Sequence, residues 1–239
     1  MPAIREDGED VVLKIQRPHR ESDAEAEALA AWNGAGAVKL LAHDPERHAL
    51  LIERCIPGSP LSERDSDQAL DVLAALLPRL SIKADIAAFR SLADEAAWWS
   101  SYLPAQWEES GRPFEKRILD AVLDILGSLP DTQGDQVLVD QDLHPGNVLA
   151  AQREPWLVID PKPLAGEREF GLAPVLRATD LGHSRRELLY RLDRLTSDLG
   201  LDRERARLWC VAQTVAWAIE GGAVIPTHVD TARWLLESG

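Results

Sequence analysis

The chain is poor in cysteine, in basic residues and in long apolar runs, and each shortage removes a class of protein. Cys55 and Cys210 are the only cysteines among 239 residues. That is too few for a disulfide-stapled scaffold and suits a reducing compartment, where a buried thiol serves as a small hydrophobe. Cytoplasm is the expected location. No stretch reaches the ~18–20 apolar residues of a membrane helix. Residues 1–20 are studded with charge, so a signal peptide is not expected either. Lys and Arg number 26 against 40 Asp and Glu, a formal charge of −14. A nucleic-acid partner needs a basic face and is excluded on that ground. A small cationic substrate is mildly favoured, although solubility alone accounts for much of the excess. With 45% hydrophobic and 28% charged residues the composition is that of an ordinary globular chain, large enough for one large or two modest domains.

Along the chain the periodicity changes once. Val11, Val12, Leu13 and Ile15 form a β-branched run interrupted by Lys14 and followed by Pro18. Ala, Glu and Leu then predict a helix over 21–32, stopped by Asn33-Gly34. Strands are predicted over 37–42 and 48–53, with a turn composition between them. Pro57-Gly58-Ser59-Pro60 breaks the chain, and helical spacing dominates beyond it. Helices are expected at 68–80, 92–109, 116–129, 172–179, 184–198, 202–220 and 229–237, and short strands at 136–139, 148–150 and 156–159. The expected organisation is a small β-rich lobe over 1–57 and a larger helical lobe over 58–239.

The chemistry concentrates in two neighbouring segments, Val137-Leu-Val-Asp-Gln-Asp-Leu-His-Pro-Gly-Asn-Val-Leu-Ala150 and Trp156-Leu-Val-Ile-Asp-Pro-Lys-Pro163. In each, an apolar strand run leads to a carboxylate beside a turn. Pro145-Gly146 compacts the loop, so Asp142 and Asn147 can face one cavity. Asn147 and Asp160 are hard oxygen donors of the kind Mg²⁺ takes when phosphate and water complete its shell. Asp142 is then free to orient a hydroxyl and accept its proton. That set supplies what phosphoryl transfer needs: positioning, charge neutralisation and a base. Lys14 lies in an apolar strand, where an unpaired ammonium is costly. Glu25 and Glu27 on the next helix are both candidates to pair with it, and such a pair can hold a lysine on the α- and β-phosphates of a nucleotide. Asp140-Gln-Asp142 as the metal motif of a glycosyltransferase or phosphatase explains neither Lys14 nor Asp160. Neither a Gly-x-Ser-x-Gly elbow nor a P-loop is present. Six of the eight tryptophans, Trp98, Trp99, Trp107, Trp209, Trp217 and Trp234, lie in helical segments and are expected to pack the larger lobe. His144 reads as a structural histidine. Asp94, Glu95, Glu108, Glu109, Glu167 and Glu169 read mainly as solvated acids.

The runs VVLKIQRPH at 11–19, GAVKLLAHDPERHALLIERCIPGSPL at 36–61, VDQDLHPGNVLAAQREPWLVIDPKPLAGEREF at 139–170 and LGLDRERARLWCVAQTVAWAIEG at 199–221 resemble the aminoglycoside phosphotransferase superfamily, most closely its streptomycin phosphotransferase and hydroxyurea-resistance kinase branch. The resemblance extends from about Val11 to Trp234. It implies an α+β, protein-kinase-like fold of two lobes and an ATP- and Mg²⁺-dependent transfer to a hydroxyl of a small molecule such as streptomycin. Asp142 would be the base, and Asn147 and Asp160 the metal ligands. Lys14 would lie on the phosphates, steadied by Glu25. Glu53 to Cys55 would form the hinge whose main chain meets adenine. Two departures stand out. Family members carry further strands and a phosphate-covering loop before the lysine strand, whereas thirteen residues precede Lys14. The small lobe is therefore expected to be truncated and the cleft open on one side, with a catalytically impaired, kinase-like fragment as the alternative. Gly171 stands where an Asp supporting the Asp142 loop is expected.

Overall fold

The computed structural model describes residues 1–17 and 19–239; Pro18, expected to close the first strand run, lies outside the described residues. The first fifth of the chain folds into a four-stranded antiparallel sheet, order β1-β2-β4-β3, from Pro2–Ile4 (β1), Asp10–Ile15 (β2), Leu40–Asp44 (β3) and Ala49–Glu53 (β4). Strand β2 pairs with β4 so that Lys14 stands opposite Leu50. Strand β1 has no signal in sequence, being too short for a readable alternation, and it pairs with β2 through a turn at Arg5–Gly8. Strand β3 starts three residues later than expected. Ala37 and Val38 instead lie buried against Val158, with Val38 N–H donating to Val158 O at 3.0 Å and Val158 N–H to Gly36 O at 2.9 Å.

The first helix, Glu25–Trp32 (α1), is shorter than its composition predicts. Residues 20–24 form a turn that ends with Ala24 at φ 65°, a left-handed conformation costly for a Cβ-bearing residue. That turn starts the helix at Glu25 and drops its side chain under β2. Glu25 is 1% exposed, whereas Glu27 faces solvent.

The rest is helical, with short strands set among the helices. Asp65 caps Ser66–Leu80 (α2) through the amides of Asp67 and Gln68, and Ser91 caps Leu92–Glu109 (α3) through Asp94 N–H. Lys116–Ser128 (α4), Ala173–Arg177 (α5), Arg185–Leu199 (α6), Arg203–Ala216 (α7) and Pro226–Leu236 (α8) complete the set. Helix α7 is buried along most of its length and packs against α4, α5, α6 and α8. Its Trp209 meets Phe170 edge-on at 5.6 Å between centroids, and Phe170 in turn lies 6.2 Å from Trp99. Apolar contacts run without a break from the small sheet into this helical core.

Two nested ribbons position the chemistry. Val137–Asp140 (β5) pairs with Pro163–Gly166 (β8), and the hairpin Val148–Ala150 (β6) with Trp156–Val158 (β7) is inserted between them. The loops entering and leaving the inserted hairpin, 141–147 and 159–162, therefore run side by side. The hairpin is laced to the sheet. Arg153 donates to Gly34 O at 2.6 Å, to Ala37 O at 2.9 Å and to the Glu53 carboxylate at 2.8 Å. On its other edge, Gly58 N–H donates to Ala150 O at 3.0 Å and Ala150 N–H to Ser59 O at 2.9 Å. Gly58 has φ 77°, and a Cβ there would come within 2.9 Å of Cys55 O, so the turn after Pro57 requires glycine. A two-residue hairpin, Ile219–Glu220 (β9) with Ala223–Val224 (β10), shortens the helix expected over 202–220. Its cause is the Gly221-Gly222 turn, both residues at positive φ.

Candidate active site

Lys14 leaves β2 on the face opposite Val11 and is met by two carboxylates. Its ammonium donates to Glu25 at 2.6 and 2.7 Å and also pairs with Asp160. Gln16 adds a bond to Glu25 at 2.6 Å. Burial raises the Glu25 pKa above the usual carboxylate range, and Lys14 opposes that rise only in part. The side chains of Lys14 and Asp160, with Val12, Ile52, Cys55 and Leu149, line a cavity of about 700 Å³ between the sheet and the hairpin. Glu53 lies on the same cavity, but its carboxylate is occupied by Arg153 and by Lys39 N–H at 3.0 Å. Burial pushes the Cys55 thiol up to about 11, so it stays protonated. Asp160 is about half exposed and sits at φ 52°, a strained left-handed conformation for a non-glycine residue.

On the other side of Pro161 the pattern inverts. Asp142, only 14% exposed, accepts from Lys162 Nζ at 2.8 Å and from Arg177 Nη2 at 3.3 Å. Both cations stand over the Trp217 ring, Arg177 at 4.1 Å and Lys162 at 5.0 Å from its centroid. Asp142 and Lys162 open onto a larger cavity, about 890 Å³, walled by Trp98, Tyr102 and Trp217 and rimmed by Glu21, Asp180 and Glu220. Thus Trp98 and Trp217 are lining residues rather than pure packing. Asn147 spans the base of the loop, its Nδ2 donating to Asp142 O at 3.1 Å. His144 accepts from Gly146 N–H at 3.1 Å, and burial holds its pKa below the ordinary value; it is the structural histidine the sequence indicates.

Asp140 holds the two loops together. One of its oxygens accepts both Asp142 N–H and Lys162 N–H at 3.0 Å, and Gln141 N–H donates to Lys162 O at 3.0 Å. Its other oxygen is buried without a partner. Burial pushes this carboxyl up to about 7 despite the two amides that favour its ionised form.

Four contributors escape sequence reasoning: Asp140, Lys162, Arg177 and Trp217. Lys162 carries a usable signal, an ammonium two residues past a strand-terminal carboxylate. Arg177 and Trp217 arrive from distant helices and carry none. Two acids expected to be solvated are buried. Glu95 is fully buried and takes Arg20 at 2.9 Å and Arg90, while Glu167 takes Arg205 at 2.7 Å and the Trp209 indole N–H. A Cβ at Gly171 would meet Val139 at 3.8 Å and Leu77 at 3.9 Å, ordinary apolar contacts, and Asp142 is steadied from Asp140, Lys162 and Arg177 instead.

Among the described residues no group of three His, Cys, Asp or Glu side chains could hold a metal unaided, and no helix is long and apolar enough to cross a membrane. Asn147 and Asp160 are both hard oxygen donors of the kind magnesium takes. Asp160 lines the smaller cavity and Asp142 the larger, whereas Asn147, expected to share a cavity with Asp142, lines neither and is tied to the Asp142 main chain.

A family model described as aminoglycoside/hydroxyurea antibiotic resistance kinase matches residues 1–223. A streptomycin 6-kinase of Streptomyces glaucescens is 41% identical over 246 residues, covering 98% of this chain and 80% of the relative. A hydroxyurea phosphotransferase of Kitasatospora aureofaciens is 41% identical over 234 residues, covering 94% of this chain and 66% of the relative. Among solved structures, choline kinase LicA from Streptococcus pneumoniae, also solved in complex with AMP, superposes with a TM-score of 0.64 at 17% identity. That superposition covers 91% of this chain and 78% of the kinase, and it shows the two-lobed, protein-kinase-like fold.

Proposed function

The chain belongs to the aminoglycoside/hydroxyurea antibiotic resistance kinase family, and from that premise we propose that it transfers the γ-phosphoryl group of ATP to a hydroxyl of a small cationic molecule such as streptomycin. One observation carries the reading. Asp142 and Asp160 stand on adjoining loops, each paired with its own lysine, and each opens onto a different cavity on either side of Pro161.

In this reading the smaller cavity takes the nucleotide. Glu25 is the fixed counter-ion of Lys14 and holds its ammonium toward the α- and β-phosphates. Glu53 N–H is already donated to Lys39 O at 2.9 Å, which leaves the main chain beyond the strand, at Arg54 and Cys55, to meet the adenine edge. Asn147 and Asp160 would hold Mg²⁺, which neutralises charge on the phosphates when bound. The larger cavity takes the acceptor. Asp142 orients the hydroxyl and receives its proton at Oδ2. The loose transition state of phosphoryl transfer asks of this carboxylate orientation and charge stabilisation more than early proton removal. Trp98, Tyr102 and Trp217 offer ring faces to a cation, and Glu21, Asp180 and Glu220 offer carboxylates at the rim.

ADP release, followed with streptomycin, hydroxyurea or choline as acceptor, tests the proposal. Streptomycin-dependent release by the wild type that disappears in Asp142→Ala is the expected result. A folded wild type that releases no ADP with any of the three would favour the non-catalytic, nucleotide-binding alternative.

A further inference from the structure

We propose that the Lys162 ammonium contacts the phosphoryl group in transit, leaving Lys14 to the phosphates that remain with ADP; the inference rests on the reading of this site as a phosphotransferase centre. Lys162 Nζ lies 2.8 Å from Asp142 Oδ2, the oxygen that would receive the acceptor proton. Its main chain is pinned on both sides, N–H to Asp140 and C=O from Gln141 N–H, each at 3.0 Å. The side chain therefore starts from a fixed point two residues beyond Asp160, on the strip that separates the two cavities.

Neutralising Asp142 does not require this lysine. Arg177 already pairs with Asp142 and is almost wholly buried, as a structural counter-ion should be. Lys162 is 28% exposed and faces the cavity, and its second carboxylate neighbour, Glu21, is at 3.6 Å. Asp142 and Glu21 match the two cations in number, and of the two cations only Lys162 is turned to the cavity with part of its surface free. An anion arriving there finds a preformed partner that needs only to turn from Asp142.

The acceptor oxygen forms a bond to the γ-phosphorus while the bond from that phosphorus to the β–γ bridging oxygen breaks. The bridging electron pair stays on ADP, and the acceptor proton passes to Asp142. Lys162 gives up no proton; it exchanges a carboxylate oxygen for an equatorial phosphoryl oxygen as charge redistributes.

Calorimetric titration with ADP, and with ADP plus aluminium fluoride, both with magnesium, compares ground-state binding with a mimic of the planar phosphoryl group. Lys162→Met is expected to bind ADP within about threefold of wild type and to lose roughly 10²-fold in affinity for the aluminium fluoride complex, with kcat falling alike and KM for ATP little changed. Lys162→Arg, which keeps the charge but not the geometry, is expected to fall between them and covers the case in which the methionine variant does not fold. An aluminium fluoride gain as large as that of wild type in either variant overturns this inference alone, as does a loss of ADP binding equal to the loss of the mimic. A wild type that gains nothing from aluminium fluoride overturns it together with the phosphotransferase reading.

Discussion

The two sides of Pro161 are electrostatic opposites. Toward the sheet, one ammonium, Lys14, is shared by two carboxylates, Glu25 and Asp160. Toward the helices, one carboxylate, Asp142, is shared by two cations, Lys162 and Arg177. The first arrangement leaves an oxygen donor for a metal ion, and the second leaves a cation for an anion. A reaction that carries phosphate from one side to the other needs both, in that order.

The comparison breaks most sharply at its centre. Asp142→Asn removes the proposed proton acceptor while keeping the shape, and turnover is expected to fall by about 10²–10⁴. Affinity for Mg-ATP, read by calorimetry, should stay near wild type, because the sheet side is untouched. Next in size is Asp140, which ties the two sides together. Its pKa is raised to about 7 in the fold from an ordinary 3.8. The native state therefore binds more protons than the unfolded chain between those values, and this residue's contribution to stability is fully present below pH 4 and lost as pH rises through 7. The span is about 4 kcal/mol at most. Denaturant unfolding of wild type between pH 8 and pH 4 should show that rise on acidification, and Asp140→Asn should flatten it. A wild-type profile without the rise would mean that Asp140 is ionised and solvated.

Third, Lys14→Met acts on the sheet side only. Losing a charge-assisted bond of about 1.5–3 kcal/mol predicts a roughly tenfold to hundredfold weaker Mg-ATP dissociation constant, with acceptor KM unchanged. The smallest effect sharpens the contrast by what it leaves alone. Gly171→Ala places a methyl in ordinary contact with Val139 and Leu77 and restricts the unfolded chain. Chemical denaturation should show about 0.4–1 kcal/mol of added stability. A drop in kcat in this variant would restore the link between position 171 and the Asp142 loop that the sequence implied.

Sequence reached the sheet side better than the helical side, and the reason is chain separation. Asp142, Asn147 and Asp160 lie within nineteen residues and sit on strand ends that alternation makes visible. Lys14 was legible because a lone ammonium in an apolar strand demands a partner. The burial of Glu25 rather than Glu27 depended on the left-handed residue at Ala24, which composition does not announce. Arg177 and Trp217 come from α5 and the end of α7, and no local pattern links them to a loop more than thirty residues away. Strands β1 and β8 were too short for periodicity, and β9 and β10 hid inside a helical composition. Glu95 and Glu167 looked like surface acids because their cations stand far off in the chain, at Arg20 and Arg205.

The lacing of the β6–β7 hairpin to the sheet makes one body of the elements that carry Lys14 and Asp160. Bonds reach from the hairpin to residues 34–53 through the Arg153 guanidinium and the Val158 main chain, and two more tie Ala150 to Gly58 and Ser59. Any swing that parted the sheet from the hairpin would have to rupture all of them together. Lys14 and Asp160 are therefore held at one spacing by bonds in which neither of their side chains takes part.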